Sequence, residues 1–316
     1  MFGWFRRFPL KWLERIPVPG LRESVVYLYK QIDRDGVVSD FLADPQILYE
    51  KWWPYRTVRK RLFAGPEPLV SVVVATHNNR QTIESAIRSL LSQTHRNLEI
   101  IVVDDASSDG TGDVVQSLQQ EDSRVVLLRN SRQLGTGRSR NRAMKAARGT
   151  YLTFQDGDDY SLPARIEMQV HAFVRHPRKT LVTCNYVRVT EAGNRIQVND
   201  KRVMECMISM MFPREIVLEK IGFFDNLGVS EDTDYRERIK ITFGPNCRHV
   251  VFRTLYHALF RQNSSLFSDV RILEYDGRKV RYDRDTKAAE AYAKIKARHD
   301  LMRKGRKSTY IPASDH

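Results

Sequence analysis

Three aspartates stand within four residues at the end of a short apolar run, where they could bind a metal ion. The run covers residues 151–154, and Asp156, Asp158 and Asp159 follow it. Like charges this close repel one another, so folding them together requires a compensating cation. Carboxylate oxygens suit Mg²⁺ or Mn²⁺, which commonly bridge a protein to substrate phosphates. The alternative is a solvated acidic turn that only caps the helix beginning at Pro163.

A second acidic group contains Glu231, Asp232 and Asp234 and lies at the predicted start of another helix. The helix dipole favours negative charge at that end. On this stretch alone, N-capping by Asp232 is the simpler interpretation. The lone His257 is interpreted as a structural residue, because a single histidine carries little signal.

The composition indicates a globular protein that attracts anions. The chain has 316 residues, enough for one large domain or two ordinary ones. Its net charge of +14 favours partners such as nucleotides, nucleic acid or anionic lipid. The three cysteines lack metal-site spacing and are odd in number, which argues against a disulfide framework and a zinc site. No apolar run approaches the roughly 18 residues of a membrane span. We therefore expect a cytoplasmic protein.

Residues 1–68 form an extension with its own character. Its first 16 residues mix bulky aromatic side chains, including Trp4 and Trp12, with arginine and lysine. That mixture suits a segment lying in a membrane interface, and the interrupting charges argue against a cleavable signal peptide. The alternative is a helical arm that packs its aromatics on the main domain or on a partner subunit. Residues 65–68 (Gly-Pro-Glu-Pro) predict a linker.

After the linker the pattern alternates between strands and helices. It predicts strands at 69–75, 98–103, 124–128 and 151–154, with helices at 79–93, 111–120 and 138–147 between them. Strands this apolar are typical of a parallel sheet that is covered on both faces. We therefore expect a doubly wound α/β sheet, whose ligands bind beyond the carboxyl ends of the strands.

Polar residues follow three of these strands. They are Thr76-His-Asn78, Asp104-Asp105 and the acidic stretch at 156–159. Their convergence at one sheet edge favours a nucleotide site over a capped turn. Further on, residues 204–212 contain four methionines, which either fill the core or line an acceptor groove.

Taken in order, these segments resemble the family 2 glycosyltransferases with the GT-A fold. The matching segments are 70–78, 92–94, 99–105, 107–111, Gly135 with Arg140-Asn141, 147–149, 156–159, 221–225 and 230–234. Each motif is weak alone, but their order and separations are specific, and they cover about residues 69–265.

The resemblance implies a mainly parallel, Rossmann-like central sheet with flanking helices. In that arrangement residues 69–160 would bind the nucleotide and residues 161–265 the acceptor. They would lie between the N-terminal extension 1–68 and a basic, helical C-terminal extension 266–316.

The resemblance also implies a reaction. A nucleotide-sugar, most simply a UDP-sugar, would give a hexosyl or N-acetylhexosaminyl group to a hydroxyl of a glycan or lipid-linked acceptor. One displacement would invert the anomeric configuration, and the product would serve surface polysaccharide or glycolipid biosynthesis.

The family pattern assigns donor-binding roles to six residues. Asp105 would accept a hydrogen bond from the uracil ring, with Thr76 and Asn78 near the nucleoside. Arg140 would lie near the diphosphate, whose geometry a guanidinium matches. Asp156 and Glu231 would complete the nucleotide-sugar site.

The same pattern divides metal binding from catalysis. Asp158 and Asp156 would hold Mn²⁺ or Mg²⁺. Asp232 would be the general base that deprotonates the acceptor hydroxyl. Asp159 is expected to do no more than cap the following helix.

Two features depart from the family. Many members carry a late Arg-x-His motif, whereas residues 260–265 place Asn263 where the histidine would stand, which weakens any expectation of a histidine contact to phosphate or metal. The family also does not require the N-terminal extension 1–68.

The C-terminal tail is strongly basic, since residues 277–308 contain twelve basic and four acidic residues. A helix from 286 to 302 would be either simply solvated or attracted to anionic lipid, and we expect the latter, at the inner face of a membrane.

Two other functions fit less well. The segment Gly135-Thr-Gly137 follows a strand as in NAD(P)-dependent oxidoreductases, but Arg140 replaces the third glycine of that motif. The basic composition alone would fit nucleic-acid binding. However, the basic residues collect at the two ends and form no known nucleic-acid module, so we expect no such partner.

Overall fold

The first half of the protein follows the predicted alternation of strands and helices. The computed structural model describes residues 67–261 and 270–313. The first elements in chain order are β1 (Val70–Thr76), α1 (Ile83–Leu91), β2 (Leu98–Asp104), α2 (Thr111–Glu121), β3 (Val125–Arg129), α3 (Thr136–Ala146) and β4 (Tyr151–Asp156). β1 pairs in parallel with β2 and with β4, and β2 pairs in parallel with β3. β1 and β2 are buried at nearly every position, as expected for apolar strands without alternation.

The second half adds mixed pairing to the same sheet. Its elements are β5 (Tyr160–Ser161), α4 (Arg165–Arg175), β6 (Leu181–Val189), β7 (Arg195–Val198), β8 (Met204–Pro213), α5 (Arg214–Ile221), α6 (Glu231–Phe243), a 3₁₀ turn (Pro245–Cys247), β9 (Arg248–Leu259), β10 (Val270–Tyr275), β11 (Lys279–Arg284) and α7 (Thr286–Arg303). The sheet runs β10-β11-β7-β6-β8-β4-β1-β2-β3, and β9 pairs with β5 and β6. The antiparallel pairing of β8 with β4 joins the two halves.

Methionine fills the core where β8 lies beside β4 in the sheet. Met210 and Met211 are fully buried and belong to the main hydrophobic cluster. Core filling, rather than an acceptor groove, therefore explains these two of the four methionines. Within 67–261 and 270–313, every helix is too short or too polar to cross a bilayer. The aromatic leader and Asn263 lie outside the described residues.

The C-terminal part is more than a solvated helix. β11 pairs in parallel with β7, which adds the β10–β11 hairpin to the sheet edge. α7 then packs against α6, with Ile295, His299 and Met302 buried. Because one face of α7 is buried, the interpretation of a freely solvated basic helix is wrong for that face. Its basic residues on the other side remain exposed.

A buried charge cluster joins α6 to α7. Asp234 is fully buried and accepts hydrogen bonds from Arg238 Nε at 2.8 Å and from Arg298 Nη2 at 2.9 Å. His299 Nε2 lies 2.8 Å from the same carboxylate and must donate, since an ionised carboxylate only accepts. Burial opposes ionisation of Asp234, but its hydrogen bond with His299 and the two guanidinium charges lower its pKa below the ordinary value.

We expect Asp234→Asn to destabilise the fold by about 3–5 kcal/mol at pH 7, because it leaves buried cations without their counter-charge. A lowered pKa contributes stability above the unfolded-state value of about 3.9, and this contribution is lost as pH falls through the folded-state value. The difference in free energy of unfolding between wild type and variant, measured with urea, should therefore narrow below pH 4. Asp300→Asn is the control, since Asp300 is exposed and pairs with Arg303 on the same helix. An equal loss in both variants would contradict the expectation.

Candidate active site

The acidic loop after β4 is held in place by β9. The backbone N–H of Asp156 donates to Tyr256 Oη at 3.1 Å, and the Asp159 carboxylate accepts from the N–H of Leu259 at 2.8 Å. β5, which follows the loop directly, pairs with β9 in antiparallel register. Both ends of the loop are thus anchored to one strand about 100 residues further along the chain. These contacts fix the backbone of the loop that carries the carboxylates.

The contacts of Asp159 correct one expectation. α4 begins at Arg165, its N-cap is Ala164, and no side chain caps it. Asp159 therefore does not cap the following helix. Its nearly buried carboxylate instead ties the loop to β9, a role that depends on a strand far away in sequence.

Each of the two predicted metal ligands faces a guanidinium. Arg140 Nη2 donates to Asp156 Oδ1 at 2.8 Å, and Arg261 forms an ion pair with Asp158. Arg261 also donates to Asn79 Oδ1 at 3.2 Å. The Asp156 side chain is 39% exposed and that of Asp158 is 19% exposed, so Asp156 is the more open to a ligand.

Burial and mutual repulsion disfavour the ionised forms of Asp158 and Asp159. Burial raises the pKa of Asp158, the charge of Asp156 raises it further, and Arg261 opposes both effects. Burial also raises the pKa of Asp159 well above its ordinary value, with added repulsion from Asp158 and Asp156. An added cation would relieve this repulsion. The donor set therefore fits a divalent ion bound by Asp158 and Asp156.

The described residues could supply only part of a metal coordination shell. Within the described ranges, no three histidine, cysteine or acidic side chains group closely enough to hold an ion by themselves. Mg²⁺ is commonly bound by one or two carboxylates together with substrate phosphates. Two carboxylates at an open edge fit that mode of binding.

The ends of β1, β2 and β4 meet as predicted. Thr76 ends β1 and lies so close to the acidic loop that a Cβ added to Gly157 would stand 2.7 Å from its Oγ1. The N–H of Asn78 donates to Ser107 Oγ at 2.9 Å, and its Oδ1 accepts from the N–H of Ser108 at 2.9 Å. Asn78 thereby joins the loop after β1 to the loop after β2.

Asp105 has a structural role that sequence reasoning missed. Its nearly buried carboxylate accepts from Asn130 Nδ2 at 2.6 Å and from the N–H groups of Leu134 and Gly135, both at 2.8 Å. These bonds shape the loop that leads into α3. A carboxylate has about four acceptor positions, so these three donors leave room for about one more. The predicted contact to uracil would have to use that position.

Asp232 is free of the capping role considered above. α6 begins at Glu231, and its N-cap is Ser230, which has a left-handed φ of 53° and makes no side-chain cap. Within residues 67–261 and 270–313, the Asp232 carboxylate accepts one hydrogen bond, from the N–H of Thr233 at 2.8 Å. N-capping by Asp232 is thus wrong, and its oxygens keep acceptor capacity for a substrate.

Glu231 brings the start of α6 against the start of α3. A Cβ added to Gly137 would stand 2.7 Å from the Glu231 carboxylate. Burial raises the pKa of Glu231, and the positive charge of Arg140 opposes the shift. Arg140 therefore binds Asp156 of the acidic loop and also acts on Glu231 through its charge.

Three further residues shape the site without having been singled out as site residues. Asn141 holds the backbone of Phe224 with two hydrogen bonds, of 2.9 Å to its carbonyl and 2.8 Å from its N–H. The ring of Phe224 lies 5.6 Å below the Arg140 guanidinium. Arg165 is fully buried and donates to Thr153 Oγ1 and to Ser161 Oγ, both at 2.7 Å, which braces the strands flanking the acidic loop.

The sequence pointed to some of the residues that shape the site and not to others. Asn141 belongs to one of the family motifs, and Arg261 lies in the stretch where the family histidine is missing. Arg165 gave no signal, because an arginine in a helix is ordinarily exposed. Gln93, taken as part of the nucleotide-binding pattern, is fully buried and donates to the carbonyl of Leu162 at 2.9 Å. It supports the chain after the acidic loop.

Comparisons of sequence identify the family of the chain. A family profile described as "Glycosyl transferase family 2" matches residues 71–260. The chain is 41% identical over 103 residues to Escherichia coli UDP-Glc:alpha-D-GlcNAc-diphosphoundecaprenol beta-1,3-glucosyltransferase WfaP, covering 33% of this chain and 40% of that protein. Escherichia coli WfgD, which has the same enzyme name, is 39% identical over 108 residues, covering 34% and 42%. The chain thus spans about two fifths of the length of these relatives.

A solved structure supports the fold. S. aureus TarS 1-349 in complex with UDP-GlcNAc matches with a TM-score of 0.55 and 20% identity, covering 75% of this chain and 71% of that one. At this identity the likeness concerns the fold alone. The predicted GT-A fold is confirmed.

Proposed function

We propose that this chain, which belongs to glycosyl transferase family 2, transfers a sugar from a UDP-sugar to an acceptor hydroxyl with inversion. The observation that carries the proposal is the chain of charged contacts at one sheet edge. Arg140 binds Asp156 of the acidic loop, and its charge also acts on Glu231, the neighbour of Asp232. These contacts support the proposal that a donor-side carboxylate and the base share one edge of the sheet.

In the proposed reaction, Asp232 takes the proton of the acceptor hydroxyl. The hydroxyl oxygen then forms a bond to the anomeric carbon as the bond from that carbon to the diphosphate oxygen breaks. UDP leaves with the bonding electron pair, and the single displacement inverts the anomeric centre. General-base catalysis of this kind contributes about 10²–10⁴-fold to a rate.

The other residues bind and orient the donor. Thr76, Asn78 and Asp105 would surround the nucleoside of the donor. Arg140 and Glu231 would lie between the donor and Asp232, the proposed base. Asp158 and Asp156 would hold Mn²⁺ or Mg²⁺. When bound, such an ion would neutralise charge on the departing diphosphate.

The identity of the donor and acceptor is proposed from the relatives. Both Escherichia coli relatives are named as enzymes that use UDP-Glc and a diphosphoundecaprenol-linked acceptor. A hexosyl or N-acetylhexosaminyl transfer to a lipid-linked glycan would place the protein in surface polysaccharide biosynthesis. A lipid-borne acceptor also fits a peripheral position on the cytoplasmic face of a membrane, where basic residues of α7 would meet anionic headgroups.

Thermal shift with nucleotides tests the donor class. We expect UDP with Mn²⁺ to raise the midpoint of unfolding by about 4–5 °C at 100 times its Kd, because a ligand that binds only the folded state stabilises it by mass action. UDP without metal should give a smaller shift. GDP and NAD⁺ with Mn²⁺ are the matched controls. A shift with NAD⁺ and none with UDP would overturn the proposed function.

A further inference from the structure

The helix that carries Asp232 is held by a part of the chain beyond the family match. The match ends at residue 260, whereas the C-terminal segment, residues 286–313, packs along α6 and the turn before it. Arg298 donates to Asp234 at 2.9 Å through Nη2 and forms an ion pair with Asp225 through Nη1. One guanidinium thus joins two carboxylates on either side of the turn that leads into α6.

The end of the C-terminal segment adds backbone contacts. Ile311 pairs in parallel with Gly222, with hydrogen bonds of 3.0 Å from its N–H to the Ile221 carbonyl and from the Phe223 N–H to its own carbonyl. A Cβ at Gly222 would overlap the carbonyl oxygen of Ile311. Arg238 on α6 also donates to the Thr309 carbonyl at 3.2 Å. The segment therefore occupies a groove that only glycine at position 222 leaves open.

These contacts hold the start of a helix that has no side-chain cap from its N-cap residue. α6 begins at a left-handed Ser230 without a side-chain cap, and the preceding residues include Gly228 with a φ of 73°. The ends of a helix open more easily than its middle, and a first turn without a cap from the N-cap residue depends on other contacts to hold it. Asp232 lies in that first turn. Its neighbour Asp234, two residues later, is fixed by Arg298 and His299.

We propose that Arg298 and His299 are positioning residues for Asp232. They act through Asp234 and do not touch the reacting atoms. The inference rests on the proposed role of Asp232 as the general base. A displacement of about 1 Å at a reacting group can cost about 100-fold in rate, so holding this turn matters for catalysis.

The test compares Arg298→Ala and His299→Ala with Arg306→Ala, which removes an exposed arginine from just beyond α7. We expect the first two variants to lower turnover of UDP-glucose by about 10- to 100-fold, while the Kd of UDP with Mn²⁺ stays within about twofold of wild type. His299→Gln, which keeps an N–H donor, should recover most of the turnover. If the alanine variants only lost their fold, their affinity for UDP with Mn²⁺ would fall together with turnover.

Amide hydrogen exchange provides a reading that does not depend on the substrate. We expect amide exchange at residues 222–234 to be faster in Arg298→Ala and His299→Ala than in wild type. The exchange rates of β2 should not change. Exchange and turnover like those of Arg306→Ala would overturn the inference. If Asp232→Asn remained active, or the wild type did not use UDP-glucose, the proposed function or donor would be wrong, and exchange at 222–234 would still decide whether the C-terminal segment holds α6.

Discussion

Asp232→Asn is expected to lower sugar transfer by about 10²–10⁴-fold, because the amide cannot take the proton of the acceptor hydroxyl. The change keeps the shape of the side chain and leaves the single hydrogen bond from Thr233 possible through the amide oxygen. α6 should remain folded, since Ser230 and not Asp232 is its N-cap. Steady-state kinetics with a UDP-sugar and a lipid-linked acceptor would measure the loss, which should fall on kcat.

The control for this variant is Asp113→Asn. Asp113 lies in the first turn of α2, as Asp232 lies in that of α6, but its side chain is 80% exposed and pairs only with Arg129 in the described part of the chain. It should keep full activity. The Kd of UDP with Mn²⁺ should stay within about twofold of wild type in both variants. Full transfer by Asp232→Asn would show that another group is the base.

Asp158→Asn is expected to weaken UDP binding in the presence of Mn²⁺ by at least about tenfold, because it removes the charge of a proposed metal ligand. Calorimetric titration with UDP and Mn²⁺ measures this effect without turnover. Binding of UDP in the absence of metal should change little. The same Asp113→Asn variant serves as the matched control.

The stability of the ligand-free Asp158→Asn protein gives a second reading. A raised pKa contributes stability below the unfolded-state value of about 3.9, and this contribution is lost as pH rises through the folded-state value. Ionised Asp158 therefore costs stability at neutral pH. The ligand-free variant should be at least as stable as wild type at pH 8, with the difference in free energy of unfolding shrinking towards pH 4.

If Asp158→Asn bound UDP with Mn²⁺ as tightly as wild type, Asp158 would not be a metal ligand.

The order of elements and the edge that carries the site were predictable from sequence. The strands β1, β2 and β4 are apolar runs that end in polar residues, and both signals are local. Parallel strands present their carboxyl ends at one edge, so the convergence of Thr76, Asp105 and Asp156 followed without further information. A helix that begins within the acidic group at 231–234 was also predicted, because acidic residues favour that end of a helix.

The roles of individual carboxylates were not predictable from their neighbours in the chain. Asp159 was expected to cap a helix and instead binds β9, and Asp232 was a candidate cap that leaves its helix uncapped. A carboxylate takes whichever donor the folded chain brings to it. For Asp159 that donor is the N–H of Leu259, 100 residues away.

By itself, the amino-acid sequence determined the α/β alternation, the family and the positions of the acidic groups, because periodicity and strand ends are properties of short segments. Only the tertiary structure decided which cation faces which carboxylate: Arg140 with Asp156, Arg261 with Asp158, and Arg298 with Asp234. It also placed the C-terminal segment on the turn before α6. Such pairs join residues up to about 100 positions apart, and their meeting depends on how the whole chain crosses the sheet.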